Sequence, residues 1–332
     1  MKPYSKRFSV DEIPDLSGKV VIITGGASGI GKEAALQLFQ HNAKVYIASR
    51  SKTKFDELVK ETQDILDDGG GSKVSLNLQF LQLDLSDMKS CVIAAKQFLG
   101  MEKRLDVLVA NAGLAVVHLG HFVFIYNLLD IIKKTSIRFG QARIVVVASH
   151  AHAMYKPSSS DIIDFKDLKV EGVKELKSFG DVQSSLQRYA RSKLANILYT
   201  RSLATHLREL GYPNIFVNCL NPGTVGTAPS TDSASLPPWL SFVTSSIVRM
   251  TSIPPLTGAL TTLVLATDLD IASKNLSGRY FDVGPLAGKF WYGYSWDATE
   301  SKLSEAAKNE ELAERLWAWS MEMITSEERG RL

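Results

Sequence analysis

Tyr189 and Lys193, within Tyr189-Ala190-Arg191-Ser192-Lys193, lie in a stretch of helical pattern, and a spacing of four puts them on one face, one turn apart. An ordinary phenol titrates near ~10 and is a poor proton acceptor at neutral pH, but an adjacent ammonium stabilises the phenolate. Such a tyrosine can donate a proton in one direction of a reaction and accept it in the other. A second chemical signal is the run Thr24-Gly25-Gly26-Ala27-Ser28-Gly29-Ile30-Gly31, with its G-x-x-x-G-x-G spacing between an apolar stretch and a helical one. Glycines there permit a tight turn and let backbone approach a pyrophosphate, and the following helix offers its first N–H groups and positive potential. The pairing expected is a nucleotide site next to a proton-exchanging phenol.

His118, His121, His150 and His152 form no H-E-x-x-H pattern and no cysteine accompanies them, so they are read as structural or surface residues and no metal site is expected.

The elements that must position these residues alternate. Apolar runs at Lys19–Thr24, Ala43–Ala48, Leu76–Leu83, Leu105–Ala110, Ile144–Ala148 and Ile215–Leu220 read as strands. Helical patterns at Gly31–Gln40, Phe55–Leu66, Lys89–Phe98, His118–Lys134 and Gln187–Leu210 fall between them. Nearly continuous apolar strands joined by helical crossovers predict a doubly wound Rossmann-type parallel sheet with helices on both faces. A single α/β domain over residues 1–332 is expected, interrupted by a polar insertion near 157–185 and a Ser/Thr/Pro-rich region near 224–255, and followed by a C-terminal extension near 286–332. Such excursions in a doubly wound fold emerge at the carboxyl ends of the strands and are often lids or substrate loops.

Composition narrows the classes. Thirty-eight Lys and Arg against thirty-five Asp and Glu give a formal charge of +3 with no basic run, which argues against a nucleic-acid partner. Cys91 and Cys219, on a helical and a strand pattern, suit a reducing compartment; together with a polar N-terminus this predicts an intracellular, cytoplasmic setting. The longest apolar stretches, Phe122–Leu129 and Leu256–Ala266, are too short or too interrupted to span a bilayer. The run Pro237-Pro238-Trp239-Leu240-Ser241-Phe242-Val243 reads as a substrate lid first and as a peripheral lipid contact second. No oligomeric state follows from the pattern.

The Thr24–Gly31 segment resembles the fingerprint of the short-chain dehydrogenase/reductase family, and the likeness extends from Leu16 to about Val283. Asp84-Leu85 is similar to the family's acidic motif on the adenine side. Asn111-Ala112-Gly113 is similar to its N-A-G motif, and Asn221-Pro222-Gly223-Thr224-Val225-Gly226-Thr227 to the loop along the nicotinamide. The resemblance implies an oxidoreductase in which Tyr189 exchanges the proton, Lys193 also holds nicotinamide ribose hydroxyls, and Ser149 holds the substrate oxygen, donating as negative charge develops there. It implies cofactor contacts from Gly25, Ser28, Gly29, Ile30, Gly31, Asp84, Leu85, Asn111, Ala112, Gly113, Pro222, Gly223, Val225 and Thr227, besides Tyr189 and Lys193.

Arg50 ends the second strand, where this fold meets the adenosine ribose; a guanidinium there can fork onto a 2′-phosphate, so NADP(H) is preferred and NAD(H) is the alternative. Lys32 is a candidate helper. Ala43–Arg50, His118-Leu119-Gly120-His121-Phe122, Ser192–Asn196 and Ser277–Phe281 resemble the retinol dehydrogenase-like and WW-domain-oxidoreductase-like branch, which implies small apolar carbonyl or alcohol substrates. One departure stands out. Where the family carries an asparagine before His118 this chain has Val117, and the segment between Gly113 and Val117 is short by on the order of fifteen to twenty residues. The family asparagine is credited with holding a water that links the lysine to bulk solvent; valine has no side-chain group for it. A catalytically impaired cofactor-binding scaffold or regulatory protein is therefore the alternative function.

Overall fold

Along the strand Val20–Thr24, Val20 and Ile22 enter one apolar core while Val21 and Ile23 enter another. This two-residue alternation between two dry faces is what a parallel sheet covered on both sides demands. Each fully buried side chain of this size contributes about 1.5–3 kcal/mol. In the computed structural model, residues 5–68, 76–113, 118–155, 179–223, 253–283, 293–297 and 303–329 are described.

Among the described residues the strands are β1 (Ser5–Phe8), β2 (Val20–Thr24), β3 (Lys44–Ser49), β4 (Leu78–Gln82), β5 (Val107–Ala110), β6 (Ala142–Val147), β7 (Ile215–Asn221), β8 (Tyr280–Val283) and β9 (Gly293–Asp297). They form one sheet in the order β1-β9-β8-β7-β6-β5-β2-β3-β4. From β8 to β4 every pairing is parallel, and β9 and β1 add two antiparallel edge strands. The strand order reverses direction at β2, which lies between β3 and β5, so the crevice beyond the carboxyl ends of β2 and β5 is the topological switch point.

The helices are α1 (Gly29–Gln40), α2 (Lys52–Asp68), α3 (Met88–Met101), α4 (His118–Phe139), α5 (Phe179–Glu209), α6 (Pro255–Thr267), α7 (Leu269–Ser273), α8 (Glu305–Lys308) and α9 (Glu310–Arg329). Side chains of α3, α4, α5, α8 and α9 fill the core on one face of the sheet, and those of α1, α2, α6 and α7 the core on the other. Both long apolar stretches of the sequence lie within helices, α4 and α6, whose residues are largely buried. No helix of the described residues is long and apolar enough to cross a membrane. Cys91 on α3 and Cys219 on β7 are both buried.

Six strands and five helices stand where the pattern places them. α5 begins at Phe179, within the polar stretch 157–185, and residues 157–178 of that stretch lie outside the described residues. So do 224–252, with Trp239 and Phe242, and 114–117, with Val117. Part of the C-terminal extension returns to the fold: β9 pairs with β8 and β1, and α9 lays Trp317 over α4 and α5, stacked on Tyr199 at 6.1 Å and edge-on to Phe122 at 5.3 Å.

Candidate active site

Burial of the sheet leaves the strand ends as the place where polar groups can gather, and at the switch point a threonine hydroxyl organises them. Thr24 Oγ1 accepts from the backbone N–H groups of Asn111 and Ala112, each at 3.0 Å, and the Asn111 side-chain amide donates back to Thr24 O at 2.9 Å. The same hydroxyl donates to Val109 O at 3.5 Å and lies 2.9 Å from His121 Nε2. Burial pushes the His121 imidazole down to about 3, so the ring is neutral.

The glycine turn is built on that post. Gly25 and Gly29 hold φ of +67° and +56°, a region that other residues enter at a cost. At Gly31 a Cβ would stand 2.5 Å from both Gly25 O and Asn111 Nδ2, so this glycine allows α1 to pack on the turn. Ser28, the N-cap of α1, makes no side-chain cap bond, which leaves the first-turn N–H groups of the helix directed at the cleft.

That cleft encloses about 890 Å³ along the carboxyl ends of β2 to β7. It is lined by Gly25, Ser28, Gly29, Ile30 and Gly31, by Arg50 after β3, by Asp84 and Leu85 after β4, and by Asn111, Ala112 and Gly113 after β5. Ser149, Tyr189, Lys193, Pro222 and Gly223 line its other end. Apart from Lys32, every described residue expected at the site is brought to one cleft; Val225 and Thr227 lie outside the described residues. Lys32 is not among the lining residues and pairs with Glu61 at 2.5 Å. In its place Ser51 and Lys54, at the start of α2, join Arg50 at the β3 end. The sequence signal for Lys54 was a further basic residue four positions beyond Arg50.

At the reactive end, Lys193 is 2% exposed and its Nζ donates to Val147 O at 2.9 Å, 5.6 Å from the centre of the Tyr189 ring. Asn196 Nδ2 donates to the same carbonyl at 3.2 Å. Burial pushes the Lys193 ammonium down to about 8. Tyr189 departs from the sequence-based expectation: its phenol is raised, not lowered, because burial outweighs the opposing hydrogen bond with Ser149. The consequence is a phenol that keeps its proton at neutral pH and stands beside the serine hydroxyl.

The histidines divide. His118 is buried, 3.3 Å from Ser320 Oγ of α9, and burial holds it down to about 4. His152 is buried as well, its Nδ1 2.7 Å from Ser149 O, while His150 is half-exposed. Asn127 donates to Val123 O of its own helix at 2.8 Å and takes no part in the cleft.

Comparison with known proteins identifies the family. The model of the short chain dehydrogenase family matches residues 19–165. The chain is 33% identical over 293 residues to an uncharacterized oxidoreductase of Schizosaccharomyces pombe, covering 83% of this chain and 80% of that one. It is 35% identical over 328 residues to retinol dehydrogenase 12 of Mus musculus, covering 93% and 87%. A crystal structure of an uncharacterized protein from Mycobacterium paratuberculosis superimposes with a TM-score of 0.64 at 23% identity, covering 96% of this chain and 97% of that one, which shows the shared fold. This chain belongs to the short-chain dehydrogenase/reductase family of oxidoreductases and is retinol dehydrogenase-like within it.

Proposed function

We propose that the protein is an NADP(H)-dependent oxidoreductase that interconverts a lipophilic carbonyl compound and its alcohol. The observation that carries this reading is the meeting of Ser149, Tyr189 and Lys193 with the Gly25–Gly31 turn and Arg50 in one cleft. A dinucleotide fits the donor set: uncapped N–H groups of α1 for a pyrophosphate, and Arg50 with Lys54 for a 2′-phosphate. The lipophilic substrate class rests on the likeness to a protein named retinol dehydrogenase 12.

When bound, the nicotinamide supplies or accepts the hydride. Tyr189, protonated at neutral pH, gives its proton to the carbonyl oxygen as that oxygen gains charge. The Ser149 hydroxyl donates to the same oxygen, and the buried ammonium of Lys193 stabilises the phenolate left behind. In alcohol oxidation the steps run backwards and Tyr189 is the base.

The test is oxidation of NADPH by the purified protein across a panel of apolar aldehydes and ketones. Tyr189→Phe should abolish turnover while NADPH still binds; an unaffected rate would refute the assignment. Saturable NADPH binding with no turnover on any compound would instead support the scaffold reading raised by Val117.

A further inference from the structure

Three strand ends beside the cleft are joined by a closed ring of polar contacts. The backbone N–H of His150 donates to Asn221 Oδ1 at 3.3 Å, Asn221 Nδ2 donates to Asp282 Oδ1 at 2.9 Å, and Asp282 Oδ2 lies 2.8 Å from His150 Nε2. His150 follows β6, Asn221 ends β7 and Asp282 lies in β8. None of the three is among the residues lining the cleft, yet each of the first two has a neighbour that does: Ser149 before His150, and Pro222 after Asn221.

The chemistry of the ring is demanding. Asp282 is 2% exposed and Asn221 3%. A carboxylate at that depth persists only with hydrogen bonds or an opposite charge close by. Asn221 gives one bond, and His150 Nε2 gives the other as a neutral N–H tautomer or as imidazolium. Among the described residues, the titratable His152 and Tyr280 pack on the ring: the Tyr280 ring centre lies 6.3 Å from that of His150 and 5.4 Å from that of His152. His150 thus holds the chain immediately after Ser149 by two separate groups, its amide and its imidazole, to two different strands.

We propose that His150, Asn221 and Asp282 form a clamp that fixes the Ser149 hydroxyl relative to the Pro222–Gly223 turn, with His150 acting as a positioning residue. The proposal rests on the oxidoreductase reading above. Small displacements of a group that must meet a reacting oxygen cost rate more than binding. His150→Ala should therefore lower kcat about tenfold, with KM and the NADPH Kd changed by less than about twofold. His150→Gln, which keeps a side-chain N–H donor, should recover most of the loss. Because both substitutions break one ring, His150→Ala combined with Asp282→Ala should be no worse in kcat or Tm than the worse single variant.

The experiment is that set of four variants beside the unmodified protein, read by kcat, KM, NADPH Kd and Tm. An unchanged kcat in His150→Ala, a glutamine variant no better than alanine, or losses that add in the double variant would each overturn the clamp while leaving the oxidoreductase reading intact. No turnover in the unmodified protein would overturn that reading instead. The clamp would then stand or fall on Tm: a shared loss in the double variant supports it, and additive losses overturn it.

Discussion

A Cβ on Gly120 would stand 2.0 Å from the carbonyl oxygen of Leu85, so α4 and the turn after β4 meet backbone to backbone. Leu85 lines the cleft, and the contact sets where that wall lies. Because the obstacle is main chain, no rotamer change can relieve it. Gly120→Ala should cost about 3 kcal/mol or more of stability and weaken NADPH binding with it. Chemical denaturation and calorimetry give the two quantities; a variant as stable as the unmodified protein would mean that the turn after β4 yields freely.

Lys193 makes a pH-dependent contribution whose sign is fixed by its burial. The folded ammonium titrates at about 8, against 10.5 as the ordinary value, so the unfolded chain holds this proton more tightly than the folded one. Stability is therefore reduced in full below pH 8, by roughly 3 kcal/mol, and recovers as pH rises from 8 toward 10.5. Lys193→Met should be inactive yet melt higher than the unmodified protein at pH 7, with the advantage shrinking across that window. Equal melting temperatures at every pH would show that the Val147 carbonyl fully compensates the buried charge.

Lys54 and Arg50 should separate the two cofactors. Both line the β3 end of the cleft, where Lys54 N–H donates to Ser51 Oγ at 3.2 Å in the first turn of α2. Lys54→Ala is expected to weaken NADPH about tenfold and NADH less than twofold, and Arg50→Ala to do so more strongly, because a guanidinium bonds a phosphate in two places. Titration calorimetry with both cofactors measures this. Equal losses for NADPH and NADH would remove the 2′-phosphate from the explanation.

Five of the six strands legible in the sequence, β2, β3, β5, β6 and β7, are buried along nearly their whole length, and their apolar runs leave a local mark; β4 is legible although it exposes Gln79 and Gln82, and β8, buried but only four residues long, is not. β1 and β9 left none: three of the four residues of Ser5-Lys6-Arg7-Phe8 are polar, and what makes it a strand is its pairing with Gly293–Asp297 from the far end of the chain. The same division runs through the site. The glycine turn and the Tyr189–Lys193 pair are local spacings, so the residues that would do the chemistry could be named from the sequence. Long-range relationships could not. The direction of the Tyr189 shift depends on how deeply the fold buries the phenol, the need for Gly120 depends on the approach of Leu85, and the His150–Asp282 pair depends on two strand ends meeting.

On the proposed function Tyr189 delivers the proton that accompanies hydride transfer inside this cleft, and the fate of both particles is read in one measurement. The protein is incubated with an apolar aldehyde and NADPH carrying deuterium on the transferred position of the nicotinamide, and the alcohol is analysed by mass spectrometry. We expect one deuterium on the carbinol carbon with the unmodified protein, and no alcohol with Tyr189→Phe although the variant still binds NADPH. Alcohol formed at an equal rate by Tyr189→Phe, or formed without the label, would contradict it.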